Sequence, residues 1–214
     1  MKWLMIVCIS FISCGQKNAE TETSGGDTAT QPAQADDTTI TQVPPATSQL
    51  IVPGESIGNI SIGTDATDLE TLLGKPDASD AAMGKAWLTW NGKRDEHNNV
   101  TSLNIYTTYK DSSMRQKTVQ QIRTTSSSFS TVEDLHVYAS LETIKDKFSA
   151  IKKRAHYTDE GRHIIIFDEQ QKGIAFEIVA ASGQQICTGI IVHKKGEAVT
   201  NVYRFLHPDM KFFE

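Results

Sequence analysis

The stretch His163-Ile-Ile-Ile-Phe-Asp168, followed by Gly173-Ile-Ala-Phe-Glu-Ile-Val179 and Ile186-Cys-Thr-Gly-Ile-Ile-Val-His193, decides how this chain folds. Residues rich in Ile, Val and Phe, bounded by polar links, read as strands. The links here are Glu169-Gln-Gln-Lys172 and Ala181-Ser-Gly-Gln184, short enough to join neighbouring strands as an antiparallel meander. Just upstream, Leu135-His-Val-Tyr138 leads to Leu141, Ile144, Phe148 and Ile151, which recur at helical spacing behind Ser140, a capping residue.

The first half shows the same order. Ile60-Ser-Ile-Gly63 alternates like a short strand, and Leu69, Leu72 and Leu73 mark one face of a helix. Thr64 or Asp65 can cap that helix, and Gly74 followed by Pro76 ends it. Strands are expected at Ala86–Trp90, Val100–Thr107 and Thr118–Thr125, with Asn91-Gly92 as a turn pair. Placing Val137 on Ile62 puts Ile144 on Leu69 and Phe148 on Leu73 without a gap, although Gly63 then meets Tyr138. The expected fold class is therefore α+β and two-layered, with two tandem units of one helix on a three-stranded antiparallel sheet. The first unit is residues 51–126; the second is 127–214, with a C-terminal extension. Trp87, Trp90 and Tyr106 would fill the first core, and Phe148, Phe167 and Phe176 the second.

The chain has 214 residues and a formal charge of −5. An acidic balance argues against a nucleic-acid partner, because such binders track phosphate with clustered Lys and Arg. Met1-Lys2 is a positive start, and the ten residues Trp3–Ile12 are almost wholly apolar. That is about half of the ~20 a membrane-spanning helix needs, and it has the anatomy of a secretory signal. Phe11-Ile12-Ser13-Cys14-Gly15 resembles the bacterial lipobox, with Phe11 at the place usually taken by Leu. The resemblance implies that residues 1–13 are removed and that Cys14 is lipidated, anchoring the protein to membrane. Residues 14–50 would then be the lipidated cysteine and a disordered tether. Residues 15–50 lack aromatics and carry Lys17 against Glu20, Glu22, Asp27, Asp36 and Asp37, so they cannot bury enough apolar surface to offset chain entropy. A coil of that length spans roughly 35 Å. Cys8 leaves with the signal, so Cys187, in an apolar run, has no disulfide partner and reads as a small core residue.

Ile60-Ser-Ile-Gly63, then Leu69, Leu72-Leu-Gly-Lys-Pro-Asp77, then Gly84-Lys-Ala-Trp-Leu-Thr-Trp90 resemble the repeat of the small BamE/SmpA lipoproteins. Two such units in tandem resemble the β-lactamase-inhibitor-protein architecture. The resemblance implies protein binding in the bacterial envelope and transfers no catalytic role.

A catalytic set is not legible. The histidines His97, His136, His156, His163, His193 and His207 form no metal-ligand motif, although His156 and His163 flank Asp159 and Glu160. Ser126-Ser-Ser128 lacks a glycine-rich phosphate loop and reads as a connector. Asp95-Glu96 reads as a solvated loop pair, and Lys110, Arg115, Lys117 and Arg123 as a solvated basic face. The aromatic end, Tyr203 to Phe213, either closes over the core or offers a sticky tail. The functional expectation is a non-enzymatic envelope protein, lipid-anchored, with no cofactor and another envelope protein as its partner. Its expected location is the outer membrane, on the periplasmic face or the cell surface. The binding-surface candidates are Trp87, Trp90, Tyr106, Phe212 and Phe213. A small-molecule or glycan-binding lipoprotein is the alternative, and a hydrolase with a site assembled from distant residues is a third reading.

Overall fold

A computed structural model describes residues 49–181, 183–203 and 207–213. The signal, Cys14 and the tether as far as residue 48 lie outside the described residues. Each of the expected runs forms a strand. In chain order come β1 (Ile51–Val52), β2 (Ser56–Ile57), β3 (Ile60–Ser61), α1 (Leu69–Leu73), β4 (Ala78–Ala82), β5 (Lys85–Arg94), β6 (Val100–Tyr109) and β7 (Lys117–Thr124). Then follow α2 (Leu141–Lys147), β8 (Lys152–Asp159), β9 (Arg162–Glu169), β10 (Ile174–Ala181), β11 (Gln184–His193), α3 (Thr200–Tyr203) and β12 (Lys211–Phe212).

The expectation of two helix-plus-sheet units is corrected. Among the described residues the fold is mostly β, 49% strand and 12% helix, with one nine-stranded antiparallel sheet and one of three strands. The large sheet runs in the order β12-β8-β9-β10-β11-β7-β6-β5-β4. The two meanders join edge to edge, because β11 pairs with β7 from Ile190↔Thr124 to His193↔Gln121. The helices are too short to roof separate sheets. Ser140 does cap α2, accepting the Thr143 N–H at 3.1 Å, but α2 ends after seven residues. Phe148 leaves the helix with φ −122°, and Lys152 opens β8, so Ile151 belongs to the connector before that strand. Asp65 caps the short turn before α1, and Gly74, at φ +77°, ends α1 as its sequence position suggests.

One face of the large sheet, here called inner, carries the main core. Ile105, Ile122, Phe176, Ile178, Ile190 and Val192 pack there beneath α1, α2 and the small sheet. The outer face has a second cluster, in which Ala155, Tyr157, Ile164, Ile166, Ala175 and Ile191 meet Val199 and Met210 from the C-terminal segment. The runs read as continuous apolar strands are thus buried on both sides.

Two bulges set what reaches the outer face. Tyr106 pairs with Gln121 but Thr107 with Val119, which makes Gln120 an extra residue in β7. Val119 and Ile122 therefore both face inward, three residues apart, and Gln121 points outward. Glu177 pairs with Gly189 but Ile178 with Cys187, so Thr188 is the extra residue in β11.

Candidate functional site

The outer face near β4 brings together the residues with most to offer a ligand. Asp80, Trp87, Tyr106, Gln121 and His193 stand directly opposite one another across β4, β5, β6, β7 and β11. Opposed residues share a face, so they form one transverse row. Two hollows lie along it. The first, about 180 Å³, is lined by Asp80, Ala82, Met83, Lys85, Ala86, Trp87 and Tyr106. Met83 is 96% exposed at its rim, on the β4–β5 turn. The second, about 250 Å³, lies beyond Tyr106 and is lined by Gln121, His193, Asn201 and Val202 among others. Lys85 and Tyr106 border both hollows. Burial raises the Tyr106 hydroxyl above its ordinary pKa, so it stays a neutral phenol.

All five residues of β4 are exposed, and β4 ends the sheet. Among the described residues, no strand pairs with its outer edge. Such an edge presents a row of backbone donors and acceptors to another chain.

Beside the row, two residues along β5, β6 and β7 on the same face, runs a polar ladder. Arg123 Nε and Nη2 donate to the two carboxylate oxygens of Glu177 at 2.8 and 2.7 Å, and Nη1 donates to Asn104 Oδ1 at 2.8 Å. Asn104 Nδ2 donates to Thr89 Oγ1 at 3.0 Å, and Tyr157 OH to Glu177 Oε1 at 3.2 Å. Glu177 is fully buried, and a Cβ on Gly189 would stand 2.4 Å from its Oε2, so that position needs glycine. Arg123 therefore belongs to an ion pair with a buried carboxylate, not to the solvated basic face expected for it.

A second buried pair fixes the C-terminal segment. His193 Nε2 lies 3.0 Å from Asp168 Oδ1, and the Val199 N–H donates to Asp168 Oδ2 at 3.3 Å. His193 Nδ1 lies 3.2 Å from the Lys194 carbonyl oxygen, so both ring nitrogens are engaged.

The sequence candidates separate. Trp87 and Tyr106 share the row. Trp90 packs against the inner core and donates its Nε1–H to the Gly74 carbonyl at 2.9 Å. Phe212 lies in β12 at the opposite end of the sheet, half-exposed. Phe213 sits with its ring 5.0 Å from His156 and 4.1 Å from Lys153 Nζ. Cys14 lies outside the described residues. His156 and His163 face each other at 4.8 Å, and among the described residues no group of three potential ligands gathers for a metal. Ser126–Ser128 line a hollow of about 470 Å³ at the ends of β5–β7. Asp95 does not stand free in its loop: it accepts the N–H groups of His97 and Asn99 and the hydroxyl of Tyr138, which hold its pKa below the usual value, Tyr138 foremost. Tyr138 has φ +83°, a strained position for a bulky residue, in the groove between the β5–β6 and β8–β9 loops.

Gln121, Met83 and the open edge of β4 were missed from sequence. Gln121 had one signal: Val119 and Ile122 break strand alternation, which marks a bulge.

The sequence matches no protein-family model and no curated protein. Among solved structures it is similar to a DUF4309 family protein (YjgB) from Bacillus subtilis, at 13% identity over 66% of this chain and 88% of that chain, with a TM-score of 0.38. A likeness of that size carries no argument about fold or activity.

Proposed function

We propose that this chain is a lipid-anchored protein of the bacterial envelope that works by binding another protein. The partner would add an extended segment to β4 and place an apolar side chain on Trp87. The observation that carries the binding half is the open β4 edge beside the aromatic hollow of Trp87 and Tyr106. Strand addition takes affinity from main-chain hydrogen bonds and specificity from an adjoining pocket, and both elements are present side by side. Exposed Met83 fits the role, because an unbranched thioether adapts to the surface it meets. The anchor rests on the Trp3–Cys14 leader, and two or three acyl chains hold firmly where one holds marginally.

The test places a photo-crosslinking residue at Ala81 in the full chain, in cells that make it, with a matching probe at Glu142 on α2. The expected result is an adduct of one defined mass from Ala81, lost with Trp87→Ala and absent from Glu142. Equal adducts from both positions, or none from Ala81, would overturn the binding reading. Radiolabelled palmitate that fails to enter the chain, with Cys14→Ser indistinguishable from the parent, would overturn the anchor.

A further inference from the structure

Among the described residues Arg154 and Glu169 each leave one buried side-chain polar atom without a hydrogen bond, but Gln121 leaves both of its own. Its side chain is fully buried, and among the described residues neither its amide nitrogen nor its amide oxygen has a hydrogen-bond partner. A buried amide without partners works against folding, and an apolar residue of the same size would avoid the loss. Gln121 nevertheless sits at the centre of the sheet, on the outer face, lining the 250 Å³ hollow. That volume equals about eight waters at liquid density of ~30 Å³ each, far more than one bridging water needs.

The surroundings are those of a small binding pocket. Tyr106 on β6 and His193 on β11 flank Gln121 in register. His193 offers no spare nitrogen, because Asp168 and the Lys194 carbonyl take both. Lys194 pairs with Glu197 at 3.0 Å across the rim. Val202 and Asn201 of α3 close one side. Tyr106, Ala198 and Val202 supply aromatic and apolar surface among polar neighbours that include Lys85, Thr108 and Gln120, and the Gln121 amide lies buried at the base.

We propose that the hollow between β6, β7, β11 and α3 binds a small uncharged molecule through the Gln121 carboxamide, by an edge that carries a hydrogen-bond donor and an acceptor side by side. A primary carboxamide presents its N–H and C=O on one edge, so the matching edge points both groups the same way. Other primary carboxamides and the amide edge of a pyrimidinone satisfy this; paired contacts of the same kind let glutamine read a nucleobase edge. A trans secondary amide does not, because its N–H and C=O point apart. This site is independent of partner capture at β4, although Tyr106 and Lys85 border both hollows.

The experiment is a titration of the 15N-labelled full chain, following the side-chain NH2 resonances of Gln121. Benzamide and uracil are the probes, and N-methylbenzamide and benzoate the controls. The expected result is a saturable shift of the Gln121 NH2 signals with benzamide or uracil, at least tenfold weaker with the controls. Gln121→Leu should abolish the binding and raise the melting temperature, with the backbone pattern of β9–β11 unchanged. No saturable shift in the wild-type protein up to the solubility of both probes would overturn the proposal. So would equal shifts with N-methylbenzamide, or a crystal structure grown with benzamide in which ordered waters alone meet both amide atoms. The wild-type titration decides the matter even if the leucine variant does not fold.

Discussion

Removing the Asp168 carboxylate should loosen the roof of the second hollow. Asp168 is fully buried on the outer face of β9 and accepts from two directions. One is the ring of His193, itself 3% exposed; the other is the backbone N–H of fully buried Val199. Asp168→Ala strips both donors of their acceptor at once. Each buried donor left unsatisfied costs ~1–3 kcal/mol, so the pair costs about 4 kcal/mol. A domain holds ~5–15 kcal/mol in all, which makes this a large share. Asp168→Asn keeps one carbonyl oxygen but turns an NH2 toward the other donor, so roughly half the loss should remain. Urea titration followed by tryptophan fluorescence reads the first quantity. Amide hydrogen exchange at Val199–Val202 reads the second, and it should accelerate beyond the change at Ile190 and Ile191. A loss under ~1 kcal/mol for the alanine variant, with exchange at Val199 unchanged, would refute the reasoning. It would mean that the C-terminal segment is held by its apolar contacts alone.

Acidification should weaken the same end of the molecule. Desolvation first, then for His156 the nearby His163, holds the pKa values of His207 and His156 below the ordinary 6.5. A depressed histidine contributes stability above the unfolded value and loses it as pH falls through the folded one, so the urea midpoint should drop between about pH 7 and 5. His207→Gln should shrink that drop, and an unchanged slope would count against it. Burial pushes the Cys187 thiol up to about 12. The native thiol should thus resist alkylation at neutral pH and react at the rate of opening; stability should fall as pH rises above 9, where the unfolded thiol ionises. Immediate labelling of the folded protein would contradict its placement. Gly173→Ala should destabilise by upwards of ~3 kcal/mol, because φ is +73° and a Cβ would lie 2.3 Å from the His193 carbonyl oxygen and 2.7 Å from Gly54 Cα. Soluble expression with a near-parental melting temperature would refute that packing.

What was legible follows from periodicity. The strands at Ala86–Trp90, Val100–Thr107, Gly173–Val179 and Ile186–His193 announce themselves because their inner faces need Ile, Val, Leu and Phe. β4 announces nothing: Ala78-Ser-Asp-Ala-Ala82 is exposed at every residue, so no core imposes a pattern on it. β8 hides for a related reason. Only Ala155 and Tyr157 of its eight residues are buried, and the bulge at Arg154 breaks its alternation. Ile151 then extended the apparent helix because its spacing from Phe148 is three, a spacing that a helix end and a following connector meet equally well. Periodicity also stays silent on edges. Nothing in the spacing of Gln121 or His193 says that β7 and β11 lie side by side, and that contact turns two meanders into one sheet.

The candidate site sits where pattern and structure part company. Trp87 and Tyr106 were readable as large aromatics on predicted strands, but their pairing depends on the register of β5 against β6. Gln121 depends on the bulge at Gln120. Without that extra residue, strict alternation from Val119 would turn Gln121 into the inner core, among isoleucines, and Ile122 out to the row. The inserted residue keeps Val119 and Ile122 in the core and delivers the amide to the outer face. The bulge serves the core, but a sheet built for stability alone gains nothing from a buried amide without partners at the same place. Their coincidence at one point of β7 is therefore the strongest reason to look for chemistry there.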